Sequence, residues 1–489
     1  MAITILIAAP LITGFVSFFI RNDYFRRFLL ITCAGIHLAL TCSALVRRPD
    51  ACWGGCFALD SIGVIFLTIT SLLFLGAVIY GVKYLCDEKR HSNDVSTEGG
   101  FFSPEAVFIG CLLLFLSTMT AVIVSRHLGV LWVAIEATTL ASAPLIYFHR
   151  TKRSLEATWK YLLICSVGIA LALLGIFFLA VAIANDSGDL ILNKVIDNAA
   201  QMNIPWLKAA FLFIFVGYGT KMGLAPFHTW LPDAHSEAPS VVSALLSGAL
   251  LNCAFLGILR MYQICIAAGL AKYCQEIFIL FGLLSVFFAA FFILGQLDYK
   301  RMLAYSSIEH MGILALGVGL GGGAVLGAML NAFSHSLTKA GLFFIAGNIL
   351  SHYGTKYISE VKGIIKGKIR WSGILWFIGF LLITGTPPSG IFLGKFMILK
   401  EAVYQGRYWL ILIFLLSLAI IFIGMARIFI SMTQGVPSEK VETRPLTRNR
   451  FWYISPSAVF FILVVIMGVY LPTWLLKILS GAAEALGGF

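Results

Sequence analysis

The stretch that decides the fold is FLFIFVGYGTKMGLAPFHTW, residues 211–230. It is an apolar run with one formal charge, Lys221, and Pro226 follows that lysine by five residues. A charge near the centre of a bilayer costs about 3 kcal/mol on insertion scales. A proline in the same span frees backbone carbonyls, which is tolerated only where protein or water can hydrogen-bond to them. A lysine beside a break in a membrane helix therefore indicates an ion path.

The rest of the chain has the composition of a membrane protein. Its 489 residues are 60% hydrophobic and 12% charged, with a mean hydropathy of +0.93, whereas soluble proteins carry about 25% charged residues. Apolar stretches long enough to cross a ~30 Å hydrocarbon core recur from residue 2 to residue 475. We place about fourteen of them. The sequence therefore predicts an all-α polytopic membrane protein with about 14 transmembrane helices.

The net charge of +12 is distributed as in a membrane protein and not as in a nucleic-acid-binding domain. Basic residues gather in short loops that follow odd-numbered spans, for example at 150–153 after the fifth, 356–370 after the eleventh and 440–450 after the thirteenth. The positive-inside rule assigns such loops to the cytoplasm. We therefore expect a multi-pass protein of the cell inner membrane with both termini outside.

Two spans share an unusual architecture. In the seventh, Lys221 precedes Pro226, and in the twelfth, GTPPSGIFLGKF (385–396) places Pro387 and Pro388 ahead of Lys395. Interrupted segments at corresponding places of two halves indicate an internal repeat. Because the two spans are five apart, their orientations are opposite. We predict two inverted five-helix repeats with broken helices 7 and 12, and four regions: 1–100 (helices 1–3), 101–270 (helices 4–8), 271–435 (helices 9–13) and 436–489 (helix 14).

Other ionisable side chains lie inside apolar spans. Glu136 is alone in HLGVLWVAIEATTLASAPLIYF (127–148), and we expect it to be the counter-charge of Lys221 rather than a neutral hydrogen-bonded acid. His335 and Lys339, in NAFSHSLTKAGLFFIAGN (331–348), are four residues apart and share one helix face. A lone histidine is usually a satisfied core residue, but a His–Lys face in a span favours proton transfer, since imidazole titrates near neutral pH.

Two further groups are secondary candidates. Glu309 and His310 begin the predicted tenth span in AYSSIEHMGILALG (304–317), and as neighbours they face different directions, so we expect at most one of them to line the path. His228, Asp233 and His235 follow the seventh span. Their spacing is loose for zinc, so we expect no metal there. A cytoplasmic vestibule open to protons, with Asp233 and Glu237 as acceptors, fits better.

Electron transfer by this chain itself is not indicated. Its ten cysteines are scattered and form no CxxC pair, whereas an iron–sulfur cluster needs about four thiolates close together. The segment GIFLGK (390–395) is one residue too short for a phosphate loop and lies within a span. We therefore expect a membrane subunit of an oxidoreductase or translocase complex that does not itself transfer electrons and has no cofactor of its own.

With these residues laid out, the chain resembles the antiporter-like subunits of respiratory complex I and the energy-converting hydrogenases. The most specific likeness is GYGTKMGLAPFHTWLPDAHSEAPSVVSALLSGALL (217–251), and YSSIEHMG, FSHSLTKAGLFFIAGNI and TPPSGIFLGKFMIL are also similar to family segments. The resemblance implies fourteen helices with inverted repeats. It also implies roles in proton transfer for Glu136, Lys221, His335 and Lys395.

One position departs from many complex I members, which carry a lysine on the eighth helix. Here LLSGALLNCAFLGILR (245–260) offers Asn252, which can hold water but cannot carry charge. In this respect the chain resembles hydrogenase-4 component F. That resemblance implies partners: further membrane subunits and a peripheral redox arm with Fe–S clusters and a Ni–Fe centre.

The leading hypothesis is translocation of protons, or alternatively of sodium ions, in a redox-driven complex. Such a complex would be a membrane-bound hydrogenase, a formate hydrogenlyase or an NADH:quinone oxidoreductase. The predicted path contains Glu136, Lys221, Asn252, His335, Lys339 and Lys395, with His228 near the vestibule. A multisubunit cation/proton antiporter without a redox partner and an inorganic-carbon uptake subunit stay open as alternatives. A purely structural anchor is disfavoured, because the buried charges would cost roughly 10 kcal/mol or more to insert.

Overall fold

The computed structural model describes residues 1–91, 103–183, 189–436 and 451–488. Nearly all of them are helical. The α-helices are α1 Ala2–Phe19, α2 Asp23–Val46, α3 Ser61–His91, α4 Pro104–Val124, α5 Leu128–Ile146, α6 Lys152–Ala182, α7 Leu192–Asp197, α8 Ile204–Met222, α9 Trp230–Glu237, α10 Ser240–Leu245, α11 Leu251–Ala267, α12 Ala271–Ile293, α13 Tyr299–Leu320, α14 Gly323–Tyr353, α15 Arg370–Thr384, α16 Gly390–Tyr404, α17 Tyr408–Gln434, α18 Phe451–Val469 and α19 Thr473–Glu484.

The helices confirm the predicted all-α membrane fold. Among the described residues, eleven helices are long and apolar enough to cross a membrane. The predicted seventh and eleventh spans and the broken twelfth are not among these eleven, because they are interrupted or carry polar residues. The count of fourteen therefore stays a prediction. So do the four regions, whose first boundary, at 100/101, lies outside the described residues, as does the basic cluster at 440–450.

Both predicted helix breaks are present. Helix α8 ends at Met222, where Gly223 takes a left-handed conformation (φ 81°), and α9 begins at Trp230. Helix α15 ends likewise, at Gly385 (φ 83°), and α16 begins at Gly390. The backbone groups freed at the first break are bound by side chains. Trp230 Nε1 donates to Thr220 O at 2.8 Å, and Ala225 N donates to Ser285 Oγ at 2.9 Å. The protein itself thus supplies partners that lipid lacks.

Close helix crossings surround the breaks. Helix α6 packs along α8, α12 along α13, and α14 along α16. At each crossing a glycine faces the backbone of another glycine, so that an added Cβ atom would stand too close to a carbonyl oxygen: 2.5 Å for Gly217 on Gly168, 2.7 Å for Gly312 on Gly282 and 2.7 Å for Gly327 on Gly394. Small residues let membrane helices approach to this extent, since packing replaces the hydrophobic effect in lipid. The broken helices are therefore fixed by backbone-to-backbone contact.

Gly217→Ala is expected to lower the stability of the protein by about 1–3 kcal/mol, because the new methyl group must push α6 and α8 apart. Gly35→Ala is the matched control, since nothing lies within 4 Å of a Cβ atom built there. Thermal unfolding of both purified variants in mild detergent measures the difference. Equal unfolding midpoints for the two variants would contradict this, because they would show that the α6–α8 crossing accommodates a methyl group without loss of stability.

Candidate ion path

Lys221 lies in the last turn of α8 and is fully buried. Its Nζ donates to Thr139 Oγ1 of α5 and to Tyr161 OH of α6, both at 2.7 Å. The same nitrogen lies 4.5 Å from the centre of the Tyr161 ring, which attracts a cation through its electron-rich face. Two helices, α5 and α6, thus surround the ammonium group of α8 with hydroxyls and an aromatic ring.

Glu136 reaches Lys221 through one hydroxyl group. Thr139 Oγ1 donates to Glu136 Oε2 at 3.2 Å while it accepts from Lys221. The other carboxylate oxygen, Oε1, accepts from Ser166 Oγ at 2.9 Å, and the side chain is half-buried. The sequence predicts that Glu136 is the counter-charge of Lys221, and the structure places Thr139 between them. A hydroxyl that accepts from an ammonium and donates to a carboxylate can pass a proton along.

Asn252 connects the first half of the chain to α14. Its Nδ2 donates to Gly248 O and to Ser336 Oγ, both at 2.8 Å. Gly248 lies in a π-helical turn, Leu246–Leu250, that joins α10 to α11. The Oδ1 atom of Asn252 is buried without a hydrogen-bond partner among the described residues. Such an atom offers a binding place for water.

Lys339 and His335 both contact α13, which is consistent with their position on one face of α14. Lys339 is fully buried and donates from Nζ to Leu303 O and to Ser306 Oγ, both on α13. The His335 ring stacks on His310 of α13, with ring centroids 4.4 Å apart and planes 29° apart. Both ring nitrogens of His335 lack a partner among the described residues. Two titratable groups of α14 therefore contact titratable or polar groups of one neighbouring helix.

Glu309 and His310 both contact polar groups of neighbouring elements. The expectation that at most one of them lines the path stays a prediction. Both residues lie in the middle of α13 and not at its start. Glu309 Oε1 accepts from Lys395 Nζ at 2.9 Å, and His310 Nε2 lies 3.1 Å from Ile383 O. Neighbouring residues point about 100° apart on a helix. Because α13 is buried on every side, the two side chains reach polar groups of other helices although they point in different directions.

Lys395 lies beside the second break, as Lys221 lies beside the first. In addition to Glu309, its Nζ donates to Thr384 O at 3.3 Å, a carbonyl at the end of α15. In chain order Lys221 precedes its break and Lys395 follows its own. Each break therefore has one buried lysine next to it, with the partners drawn from other helices.

His228, Asp233 and His235 do not converge on one point. The His228 ring packs near Phe292 and Tyr305, and the His235 ring stacks on Phe343 at 5.4 Å. Asp233 instead pairs with two basic residues, Lys160 at 3.0 Å and Arg301 at 3.1 Å. In the parts of the chain that the structure describes, no group of three or more His, Cys, Asp or Glu side chains could hold a metal ion.

A cavity of about 920 Å³ lies where the predicted vestibule was expected. Asp233 and Glu237 line it, together with Arg301, Lys356 and Tyr305. Both of these acidic residues pair with basic residues that line the cavity, Glu237 with Lys356 at 2.8 Å and Asp233 with Arg301 at 3.1 Å. Because Tyr305 also contacts the His228 ring, the cavity wall reaches the start of the buried polar residues.

Sequence reasoning missed the hydroxyl groups that bind the buried lysines. Thr139, Tyr161 and Ser306 each bind a buried lysine. The three-residue spacing of Glu136 and Thr139 puts both on one face of α5 and could have indicated the bridge. Tyr161 and Ser306 give no such signal, because hydroxyls in apolar helices usually bond their own backbone.

A second buried charge cluster was also missed. The Arg260 guanidinium donates to both oxygens of Asp60, at 2.6 and 2.8 Å, and Arg126 lies 3.5 Å away from the same carboxylate. Burial alone would raise the pKa of the Asp60 carboxyl, but Arg260 and then Arg126 hold this pKa well below its usual range. The cluster joins the start of α3 to α11 and to the α4–α5 junction.

Asp60→Asn is expected to destabilise the protein by about 3–5 kcal/mol at neutral pH, since two arginines lose their counter-charge. A carboxyl whose pKa is lowered on folding contributes stability above its unfolded pKa of about 3.9 and loses it as the pH falls through the folded pKa. The difference in stability between the wild type and the Asp60→Asn variant should therefore become smaller below about pH 4. Unfolding midpoints across pH test this, with the exposed Asp50→Asn as control. A gap that does not depend on pH would contradict the charge argument.

Comparison with known proteins gives consistent matches. The family described as NADH:quinone oxidoreductase/Mrp antiporter, transmembrane, matches residues 125–421. A hydrogenase-4 component F homolog of Methylacidiphilum infernorum is 35% identical over 71% of this chain and 73% of its own length. An NADH-quinone oxidoreductase subunit of Desulforudis audaxviator is 28% identical over 75% and 70%. A Na⁺/H⁺ antiporter subunit of Bacillus subtilis is 25% identical over 89% and 84%.

Solved structures share the fold at low sequence identity. A chain of an archaeal membrane-bound sulfane sulfur reductase superposes with a TM-score of 0.84 at 20% identity, covering 99% of this chain and 97% of that one. A chain of the Mrp complex from Dietzia gives 0.86 at 18% identity, with the same coverage. A chain of respiratory complex I from Thermus thermophilus gives 0.81 at 22% identity and full coverage of both chains. All three are chains of multisubunit membrane complexes.

Proposed function

Because this chain belongs to the NADH:quinone oxidoreductase/Mrp antiporter transmembrane family, we propose that it translocates protons as one membrane subunit of a redox-driven complex. The observation that carries the proposal is the series of buried ionisable groups that runs from Glu136 to Lys395. Each isolated charge in lipid costs about 3 kcal/mol or more. A fold that keeps several of them, with hydroxyls and unpartnered polar atoms between them, favours ion transfer over simple anchoring.

The first transfer takes place between Lys221 and Glu136. Thr139 gives its own hydroxyl proton to Glu136 and receives one from Lys221, so that the hydroxyl is regenerated and one proton has moved. The reverse transfer reloads Lys221 before its proton leaves toward α11. The bonds of 2.7 Å and 3.2 Å on either side of Thr139 support this direction of donation. When Glu136 is charged it favours the ammonium form of Lys221, and when Glu136 is protonated that support is lost.

The middle of the path depends on water. Lys221 donates to Thr139 and Tyr161, so a proton that leaves toward α11 needs a bridging molecule near Asn252. Asn252 Oδ1, which has no partner within the described part of the chain, and the Asn252–Ser336 hydrogen bond suit such a bridge. Lys339, held by Ser306 of α13, is the next group that can accept a proton.

The far end is the contact of α13 with α14, α15 and α16. The stacked His335 and His310 can exchange a proton through water, and Lys395 lies beside the second break. His228 and the cavity behind Tyr305 form the opening at the other end. By the loop charges, that opening faces the cytoplasm of a cell inner membrane and both termini lie outside.

The energy comes from partner subunits in this proposal. Redox chemistry in a peripheral arm with Fe–S clusters, and a Ni–Fe centre if the complex is a hydrogenase, would shift the Glu136–Lys221 equilibrium. Glu136 is suited to contact a partner subunit, because it is half-buried at the protein surface, whereas Lys221 is fully buried. Each step is a population shift between protonation states and needs a few kcal/mol.

A cation/proton antiporter without a redox partner is the second candidate, with sodium as the alternative ion. The likeness to the Na⁺/H⁺ antiporter subunit of Bacillus subtilis over most of both chains favours it. The same buried lysines would serve either function, so the two candidates differ in the subunits with which the chain assembles.

Mass spectrometry of the proteins that co-purify with a tagged copy of this chain in mild detergent distinguishes the two candidates. Iron–sulfur and Ni–Fe hydrogenase subunits are the expected result, and a quinone-reducing arm would move the chain to the complex I type. Small membrane subunits without any redox protein would overturn redox coupling and leave the antiporter.

Thr139→Val is expected to reduce proton flux about tenfold or more, because it removes the bridging hydroxyl while it preserves the shape of the side chain. Thr138→Val is the matched control: this neighbour on α5 is also buried, and its hydroxyl bonds Ile135 O. Proton uptake by vesicles that contain the assembled complex is the measurement, with Lys221→Ala as the reference for a broken path. Unchanged flux in both Thr139→Val and Lys221→Ala would contradict the proposed function.

A further inference from the structure

Glu309 and Lys395 form an ion pair that is sealed inside the protein. Their N–O distance is 2.9 Å, and the side chains are 1% and 7% exposed. The pair bridges α13 and α16, and the second donor bond of Lys395 goes to Thr384 O at the helix break. A carboxylate–lysine couple thus lies at the second break, at the opposite end of the path from Glu136 and Lys221.

The two couples differ in construction. Glu136 is half-buried and touches its lysine only through Thr139. Glu309 is fully buried and binds Lys395 directly. The first couple is therefore open to a neighbour at the protein surface, whereas the second is isolated within the chain.

Glu309 keeps one oxygen free. Its Oε2 atom is buried without a partner among the described residues. Further buried polar atoms near the same junction find no partner in the described ranges either: His310 Nδ1, both ring nitrogens of His335, Ser334 Oγ and both amide atoms of Asn331. We call the four residues around Glu309, namely His310, Asn331, Ser334 and His335, the polar pocket.

The polar pocket borders the helix that carries Lys395. Ser334 lies directly against Gly390, and the Asn331 Cβ atom would stand 3.1 Å from a Cβ atom built at Gly394. Both glycines are on α16. Buried polar atoms in native proteins bind protein groups or ordered water, so the pocket is suited to hold water against the free oxygen of Glu309.

We propose that Glu309 is a second proton-carrying carboxylate, which accepts a proton from the polar pocket and thereby releases the proton of Lys395. This deepens the proposed function and rests on it. One excess proton, carried by a protonated histidine or by water of the polar pocket, moves to Glu309 Oε2 and neutralises the carboxylate. Lys395 then lacks its counter-charge and gives one proton to a water molecule at the break, next to Thr384. The transfer of the Glu309 proton to Lys395 resets the pair, so one proton enters, one leaves, and no electron is exchanged.

The proposal has a consequence for the assembled complex. The terminal lysine finds its counter-charge on α13 of its own chain, so its switching requires no carboxylate from an adjacent subunit. A purely stabilising role is a weaker account of the pair, because buried ion pairs are often no more stabilising than apolar residues of the same volume.

The test compares Glu309→Gln with Glu401→Gln in the full complex. Glu401 is a carboxylate of the same helix as Lys395, and it accepts from Gly323 N at the start of α14. Glu309→Gln should lower proton flux about tenfold or more while electron transfer continues, and Glu309→Asp should restore part of the flux. Flux in Glu309→Gln equal to that in Glu401→Gln would overturn the proposal.

Infrared difference spectra during turnover provide a readout that a structural role would not change. A protonated-carboxyl band should appear in wild type and shift in Glu309→Asp. The absence of this band or of its shift would overturn the proposal even if Glu309→Gln fails to assemble. Loss of flux in Lys221→Ala with full flux in Glu309→Gln would remove only this inference, whereas full flux in both variants would remove the proposed function as well.

Discussion

Burial of lysine ammonium groups in a bilayer is the constraint on which the rest of this structure depends. Lys221, Lys339 and Lys395 are each at most 7% exposed, and each is held by oxygen atoms from another helix. Those oxygens must be fixed in position, since an unpaired ammonium in lipid is too costly to keep. The glycine crossings and the two breaks follow from this need, because they bring backbones and short side chains within reach of the lysines.

Helix α13 provides much of that support. It presents Leu303 O and Ser306 to Lys339, Glu309 to Lys395 and His310 to His335. Its first turn also meets α9, where Lys300 Nζ donates to Ser236 O and Ala238 O at the end of that half-helix. One buried helix thus touches the element after the first break and the residues of the second. A displacement of α9 would therefore act on the first turn of α13, the helix that also carries Glu309. Helix α13 is in this way a physical connection between the two helix breaks.

Much of this could be predicted from the sequence, for identifiable reasons. Proline and a lone lysine in an apolar run define a broken membrane helix, since few other arrangements tolerate them. The groups that bind the buried lysines directly could not be predicted. Glu309 and His310 are adjacent, and sequence spacing alone makes it improbable that both face polar groups, yet a helix buried on all sides satisfies both. The Thr139 bridge and the stacked histidines depend on the relative rotation of helices, which hydropathy does not encode.

The central claim is that turnover of a redox complex containing this chain moves protons across the membrane. The most direct measurement is the luminal pH and sodium content of liposomes that contain the purified wild-type complex, followed from the moment its electron donor is added. The account predicts a pH change that begins with electron transfer, is abolished by a protonophore and does not require sodium. Steady electron transfer without movement of either ion would contradict it.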